Sequence, residues 1–305
     1  MLSARKSSSR RVFRIVTWGG LGDALIIMPS LQALKRKYPD CRVIVYCENA
    51  RQKDIFIGYP FVDKVRGTSW FWNAFAYVHY FLKPSDFIRT EFHLALSGFL
   101  RTDKHICHIV AEEIFDVHAN EFKPHIYFTA EEEQFGTSFV QNLRKTIAIH
   151  VTSTTSKNHM WPIEKWNDLV SAMPDYTFIQ LGTASEPQVN GVIDLRGKTT
   201  LRQSLNILKH ADCFVGIEAF FNHAAHAVDT PAVIIFGDAD PAMWNYQGNR
   251  VVTKSLECSP CDAILLGGDC PYQQKCMTLI DIAEVKTAIL ARLADGRSSQ
   301  EARVA

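Results

Sequence analysis

The feature that most constrains this chain lies in its first ordered stretch. A short apolar strand, Val12–Val16, runs into Trp18-Gly19-Gly20-Leu21-Gly22-Asp23. A helix-like apolar segment, Ala24–Tyr38, follows, then Pro39-Asp40 and a second strand, Arg42–Cys47 (RVIVYC). Strand, glycine loop, helix and strand in that order make a βαβ unit, and such a unit demands a parallel sheet. Pro29 sits inside the helical segment and predicts a kink or a restarted turn, because proline offers no N–H to the helix.

The same grammar restarts after a polar helical segment. Strand Lys145–Val151 precedes helix Glu164–Met173, strand Tyr176–Leu181, a loop, Val192–Leu195 and helix Leu201–His210. Strand Cys213–Val215, helix Asn222–Val228 and strand Ala232–Phe236 complete the series. Two such series predict an α/β chain of two Rossmann-like, doubly wound domains facing a cleft. In these sheets ligands bind beyond the carboxyl ends of the strands. The expected division is a disordered basic tail at 1–11, an N-terminal domain at 12–140, a C-terminal domain at 141–294 and a polar tail at 295–305, with the seam near 130–145. A chain of 305 residues, 47% hydrophobic and 21% charged, has the material for two cores.

A formal net charge of +1 argues against a broad nucleic-acid footprint. Residues 1–11, MLSARKSSSRR, are basic but are followed by no apolar run, so they do not read as a secretory signal. No stretch approaches the roughly 20 apolar residues that cross a bilayer, and a soluble, cytoplasmic protein is expected. Trp70, Phe71, Trp72, Phe75, Tyr77, Tyr80 and Phe81 read either as helix packing or as a surface facing acceptor or membrane. The stretch 87–128 yields no motif.

Gly19, Gly20 and Gly22 allow a sharp turn and close approach of a ligand to main-chain N–H groups. The spacing departs from a dinucleotide fingerprint, and a carboxylate at the helix start would repel a diphosphate. Asp23 therefore reads either as a helix-capping residue or as a base that deprotonates a hydroxyl across a cleft.

TWGGLGDALIIMPSLQALKRKYPD resembles the N-terminal signature of glycosyltransferase family 9, the heptosyltransferase-like enzymes. Further landmarks follow in the order that family shows: MWPIEKW (160–166), QLGTASE (180–186), DLRGKTTL (194–201), VGIEAFFNH (215–223), PAVIIFGDADP (231–241) and a late cysteine cluster. The resemblance implies a two-domain GT-B fold, inverting transfer and a nucleotide-sugar donor such as ADP-heptose. It implies that Asp23 is the catalytic base, the N-terminal domain the acceptor side and the C-terminal domain the donor side.

The resemblance also points to donor-binding residues. Thr154, Lys157 and His159 lie in the hydroxyl-rich loop TSTTSKNH, which suits phosphate oxygens. Family members carry a lysine two positions before the Trp-Pro pair, where this chain has His159. Either Lys157 or His159 is left to meet the diphosphate. Glu186 resembles the acid that holds the donor ribose. Around Glu218, Ala219 and His223 the chain departs from the family's Asp-Ser-Gly pattern but keeps the histidine, at the start of a helix whose N–H groups suit a diphosphate. Asp238-Ala239-Asp240 resembles a metal–nucleotide motif, but a GT-B enzyme stabilises its leaving phosphate with protein groups, so no catalytic divalent metal is expected.

Cys258, Cys261, Cys270 and Cys276 place four soft ligands close together, with Gly267 and Gly268 between them. They read as a structural tetrahedral Zn²⁺ or iron site, with disulfides as the rival. Resemblance to an iron-holding, autotransporter-modifying subgroup keeps iron open. The expected partners are a nucleotide-sugar donor and an acceptor that is lipopolysaccharide core, a protein or a small molecule; a homo-oligomer is also open. Three rivals stand beside transfer: a non-catalytic nucleotide-sugar-binding protein, an NAD(P)-dependent oxidoreductase and a metal-knuckle scaffold.

Overall fold

A computed structural model describes residues 11–67, 86–90, 104–119, 123–261 and 269–304. The basic run 1–10, the aromatic segment from Trp70 to Phe81 and Gly267 and Gly268 lie outside the described residues.

The described residues form two parallel sheets. The first has the order β3-β2-β1-β4, built from β1 (Val12–Thr17), β2 (Arg42–Cys47), β3 (Lys64–Gly67) and β4 (Phe87–Thr90). The second has the order β10-β9-β8-β5-β6-β7. Its strands are β5 (Thr146–His150), β6 (Thr177–Gln180), β7 (Ile193–Asp194), β8 (Cys213–Ile217), β9 (Ala232–Ile235) and β10 (Arg250–Val252). β1 lies between β2 and β4 in parallel register, with Arg14 opposite Ile44 on one side and Phe87 on the other. β5 lies between β6 and β8 in the same way. Strand order therefore reverses beside β1 and beside β5. Those switch points leave a crevice at the carboxyl ends, next to Thr17 and next to His150.

Every residue of β5 and β8 is buried. This is why those strands read as unbroken apolar runs rather than alternating ones. Helix α1 (Leu21–Ile26) and helix α2 (Met28–Lys37) divide at Ile27, with Pro29 in the first turn of α2, where a missing N–H costs nothing.

Among the described residues, the short helices α3 (Gln52–Ile55) and α4 (Ile106–Ile109) follow in the first half. α5 (Ala130–Val140) falls within the N-terminal domain expected from sequence, yet it docks on the second half. Its Glu132 and Glu133 pair with Arg202, Lys209 and His210 of helix α7 (Leu201–His210), while α6 (Ile163–Ser171) lies between them in sequence. Complementary charge sets this docking. α8 (Phe220–Ala227) follows β8, α9 (Pro241–Trp244) follows β9, and α10 (Lys275–Thr278) precedes the last helix. That helix, α11, runs Ile282–Val304 through the segment expected as a tail, and its polar end is rich in good helix formers. Among the described residues no helix is long and apolar enough to cross a membrane.

Candidate active site

The glycine loop leaves β1 and enters α1, and Asp23 occupies the third position of that helix. Its Oδ2 accepts a 2.6 Å hydrogen bond from the Gly20 N–H, so the carboxylate does cap the helix. Gly19 has φ +93°, and a Cβ there would lie 2.3 Å from Asp23 Oδ2, so only glycine leaves room for the carboxylate. Burial raises the Asp23 pKa above the ordinary carboxylate value, against the Gly20 N–H and the nearby His223, which both favour the anion. A capping carboxylate that holds its proton more tightly is also a stronger base. Gln52 braces the loop by donating to the carbonyls of Gly19 and Gly20 at 3.1 and 2.9 Å.

α1 meets α8 across the crevice. A Cβ on Gly22 would lie 3.1 Å from Cδ2 of His223 and 3.8 Å from the Phe220 Cα, so the missing side chain permits this approach. His223 is buried, and its Nδ1 lies 2.8 Å from the Tyr246 hydroxyl. Nε2 faces Glu218 Oε1 at 3.7 Å. Ala219 is the extended N-cap of α8 and opens that helix toward the loop.

Glu218 and His159 are buried together. His159 Nδ1 lies 2.9 Å from the Glu218 carbonyl oxygen and 3.1 Å from its Oε2. Burial works against the Glu218 anion, but His159 and His223 outweigh it and hold the carboxyl at about 2. Burial likewise disfavours the His159 cation, and the carboxylates of Glu218 and Asp238 more than offset it, leaving the ring's pKa raised.

The other expected donor residues divide. Thr154 is exposed on the loop after β5, and exposed Lys157 is paired with Asp269. Glu186 folds back on its own loop. Its Oε1 accepts from the Thr183 N–H at 2.8 Å, and its Oε2 lies 3.2 Å from His150 Nε2. Burial opposes the Glu186 anion, but His150, Thr183 and Thr152 hold it at about 2. The run Asp238-Ala239-Asp240 serves two separate ends: Asp238 faces His159, and Asp240 Oδ1 caps α9 by accepting from the Ala242 N–H at 2.8 Å. His150 and Tyr246 were not singled out in the sequence. Each is one polar residue in an apolar or irregular stretch, with no spacing to mark it.

A family model for glycosyltransferase family 9 (heptosyltransferase) matches residues 105–265, more than half of the 305-residue chain. The chain belongs to glycosyltransferase family 9. Among family-level relatives, lipopolysaccharide heptosyltransferase 3 of Escherichia coli is 32% identical over 65 residues, a stretch that spans 21% of this chain and 19% of that protein. The fold is similar to that of E. coli ADP-heptose lipopolysaccharide heptosyltransferase II, with a TM-score of 0.70 at 12% identity, covering 94% of this chain and 100% of that one. It is also similar to TibC from enterotoxigenic E. coli, a dodecameric iron-containing heptosyltransferase solved with ADP-D-beta-D-heptose. There the TM-score is 0.69 at 18% identity, covering 96% of this chain and 79% of that one. These likenesses identify the GT-B arrangement of the family 9 fold.

The late cysteines are free thiols, with Cys276 buried, Cys258 and Cys270 half-buried and Cys261 exposed. Burial pushes the Cys276 thiol up to about 11, and the negative charge of Asp238 and of the other three thiols adds to the push. The four sulfurs thus share one electrostatic neighbourhood. Among the described residues, no three His, Cys, Asp or Glu side chains are drawn together closely enough to hold a metal ion.

Proposed function

We propose that this family 9 chain is an inverting glycosyltransferase that moves a heptose-like sugar from ADP-heptose to an acceptor hydroxyl. The observation that carries the reading is the meeting of α1 and α8: Asp23, with its raised pKa, stands at the first switch point, beside His223 at the second. In this reaction Asp23 takes the acceptor proton while the hydroxyl oxygen attacks the anomeric carbon in line with the departing diphosphate. The N–H groups at the start of α8 and the Nε2 edge of His223 face the diphosphate. Thr154 and Lys157 reach it from the loop after β5, with Lys157 leaving Asp269 to do so. Glu186 turns from His150 toward the ribose. His159, Glu218 and Ala219 form the floor.

The relatives' names support ADP-heptose as donor and a lipopolysaccharide as acceptor, ahead of a protein or small molecule. We assign the reaction to the cytoplasm and the two halves to acceptor (12–140) and donor (141–294) binding. The test is release of ADP from ADP-heptose with and without lipopolysaccharide core acceptor. Turnover by the wild type, and its loss in Asp23→Asn with donor binding intact, supports the reading. Full turnover in Asp23→Asn sinks it.

The donor chemistry of Cys258, Cys261, Cys270 and Cys276 fits a soft metal, zinc or iron, which would brace the loop and take no part in transfer. The dodecameric TibC supports a search for a homo-oligomer, by light scattering of the full chain.

A further inference from the structure

His159, Glu218, His223 and Tyr246 form a continuous line of polar contacts through the floor of the site, although they come from four separate segments of the chain. His159 sits in the short 3₁₀ turn Lys157–His159 after β5, and Glu218 directly follows β8. His223 lies in α8, and Tyr246 follows α9. All four are buried, His159 at 1% exposure and Glu218 at 7%.

The proton positions along this line follow from donor counting. His159 Nδ1 faces two oxygens of Glu218, neither of which can donate while the carboxyl is ionised, so Nδ1 carries a hydrogen. Its Nε2 lies 3.1 Å from Asp238 Oδ1, off the line of a hydrogen bond but too close for two lone pairs to face each other, so one of the two atoms is protonated. In either state Nδ1–H holds Glu218 Oε2, and Ser156 Oγ holds the far oxygen of Asp238 at 3.3 Å. Glu218 Oε1 is left turned toward His223 Nε2. On the opposite side of that ring the Tyr246 hydroxyl lies 2.8 Å from Nδ1, and burial keeps the phenol protonated. A phenol that donates to Nδ1 requires the ring proton on Nε2, the nitrogen that faces the Glu218 anion.

We propose that Glu218 is a positioning residue that, with Tyr246 on the opposite nitrogen, fixes His223 as the Nε2–H tautomer, while His159 and Asp238 hold Glu218 in place. This deepens the transferase reading, in which His223 faces the donor diphosphate. In this reading Glu218 acts through the His223 ring rather than on the donor itself. Its effect is to have the His223 donor already set before the leaving group develops charge.

The test uses the full chain with ¹⁵N-labelled histidine and long-range ¹H–¹⁵N spectra of the imidazoles, with His223→Gln to assign the resonances. In the wild type, His223 is expected to show a protonated Nε2 and a bare Nδ1. Glu218→Gln and Tyr246→Phe are each expected to shift it toward the other tautomer or to a mixture. A wild-type His223 with its only proton on Nδ1 overturns the proposal, whether or not the variants fold. So does an unchanged tautomer in both folded variants. The kinetic arm measures ADP release from ADP-heptose. Glu218→Gln is expected to lose about 10²-fold in kcat while donor KM stays within about threefold. A rise in KM with kcat unchanged makes Glu218 a plain donor-binding group and also overturns the proposal. If the wild type releases no ADP, the transferase reading fails by itself and the spectra still decide the role of Glu218.

Discussion

Gly22 of the first half packs directly on the ring of His223 in the second, so closely that a methyl group there would sit 3.1 Å from Cδ2 and fit only if the neighbours gave by a few tenths of an ångström. The two switch points are therefore joined through a position where side-chain volume is limited. In Gly22→Ala, a gain of about 1 kcal/mol in helix propensity offsets a similar overpacking cost. Stability by urea titration should stay within about 1 kcal/mol of wild type. ADP release should fall about tenfold as α1 and α8 are pushed apart.

Gly19→Ala should behave differently. The backbone there has positive φ, and the new Cβ would strike the Asp23 carboxylate. A loss of about 2 kcal/mol is expected. It should come with loss of turnover, because relief of the clash moves Asp23. Thermal unfolding and ADP release on the same sample check both effects.

Asp23→Asn keeps an acceptor oxygen for the Gly20 N–H and removes a charge that burial disfavours. Stability should change by less than about 1 kcal/mol, while kcat falls by about 10²-fold or more. Because the folded pKa is raised, the ionised base is lost on the acid side at a higher pH than for a free aspartate. The acid limb of the kcat profile should shift upward accordingly. The linkage has the matching sign: the stability this group contributes is present below its unfolded value and is lost as pH rises through its folded value.

Two histidines make the fold acid-sensitive. Burial, with neighbouring positive groups, pulls His105 down to about 3 and His226 to about 4. His226 stacks on Tyr246 with ring centroids 4.0 Å apart. Both are neutral in the native chain. As pH falls below about 6.5 the unfolded chain takes up protons that the native one refuses. Unfolding free energy should then drop by up to about 1.4 kcal/mol per pH unit for each histidine. The loss from His226 should level off near its folded value. Urea titrations of His226→Phe across this window should show a shallower decline than wild type; an equal slope would refute the assignment.

Arg202 ties three segments together. It forks onto Glu132 through Nε and Nη2, at 2.7 and 2.6 Å. It also donates to the carbonyls of Asp54 and Tyr127, at 3.0 and 2.6 Å. Arg202→Ala should cost about 2–3 kcal/mol. It should also loosen the contact between α3 and α7, read as faster amide exchange in both.

Element boundaries were legible in one strand and one helix, where a mostly buried apolar run or face is bounded by polar residues. Arg42–Cys47 and Leu201–His210 stand as read, and the interruption at Ile27 follows from Pro29. β4 was not legible, because three half-buried residues and a buried Thr90, without alternation, carry no periodic signal. α11 was hidden because the sequence of its outer half is polar, and polarity alone does not separate a solvated helix from a tail.

The sequence by itself determined a parallel α/β chain in two series, with Asp23 at a helix start after a glycine loop. These are local matters of apolar run length, backbone permissiveness and capping, and a family signature adds to them. Only the tertiary structure decided that Gly22 exists to admit His223, that His159 is enclosed by Glu218 and Asp238, and that Tyr246 holds the far side of the His223 ring. These partners lie far apart along the chain, His159 and Glu218 by 59 positions, so no periodicity links them. Burial then removes the water that would otherwise satisfy each polar group, and the choice of partner is made by the packing of the two sheets.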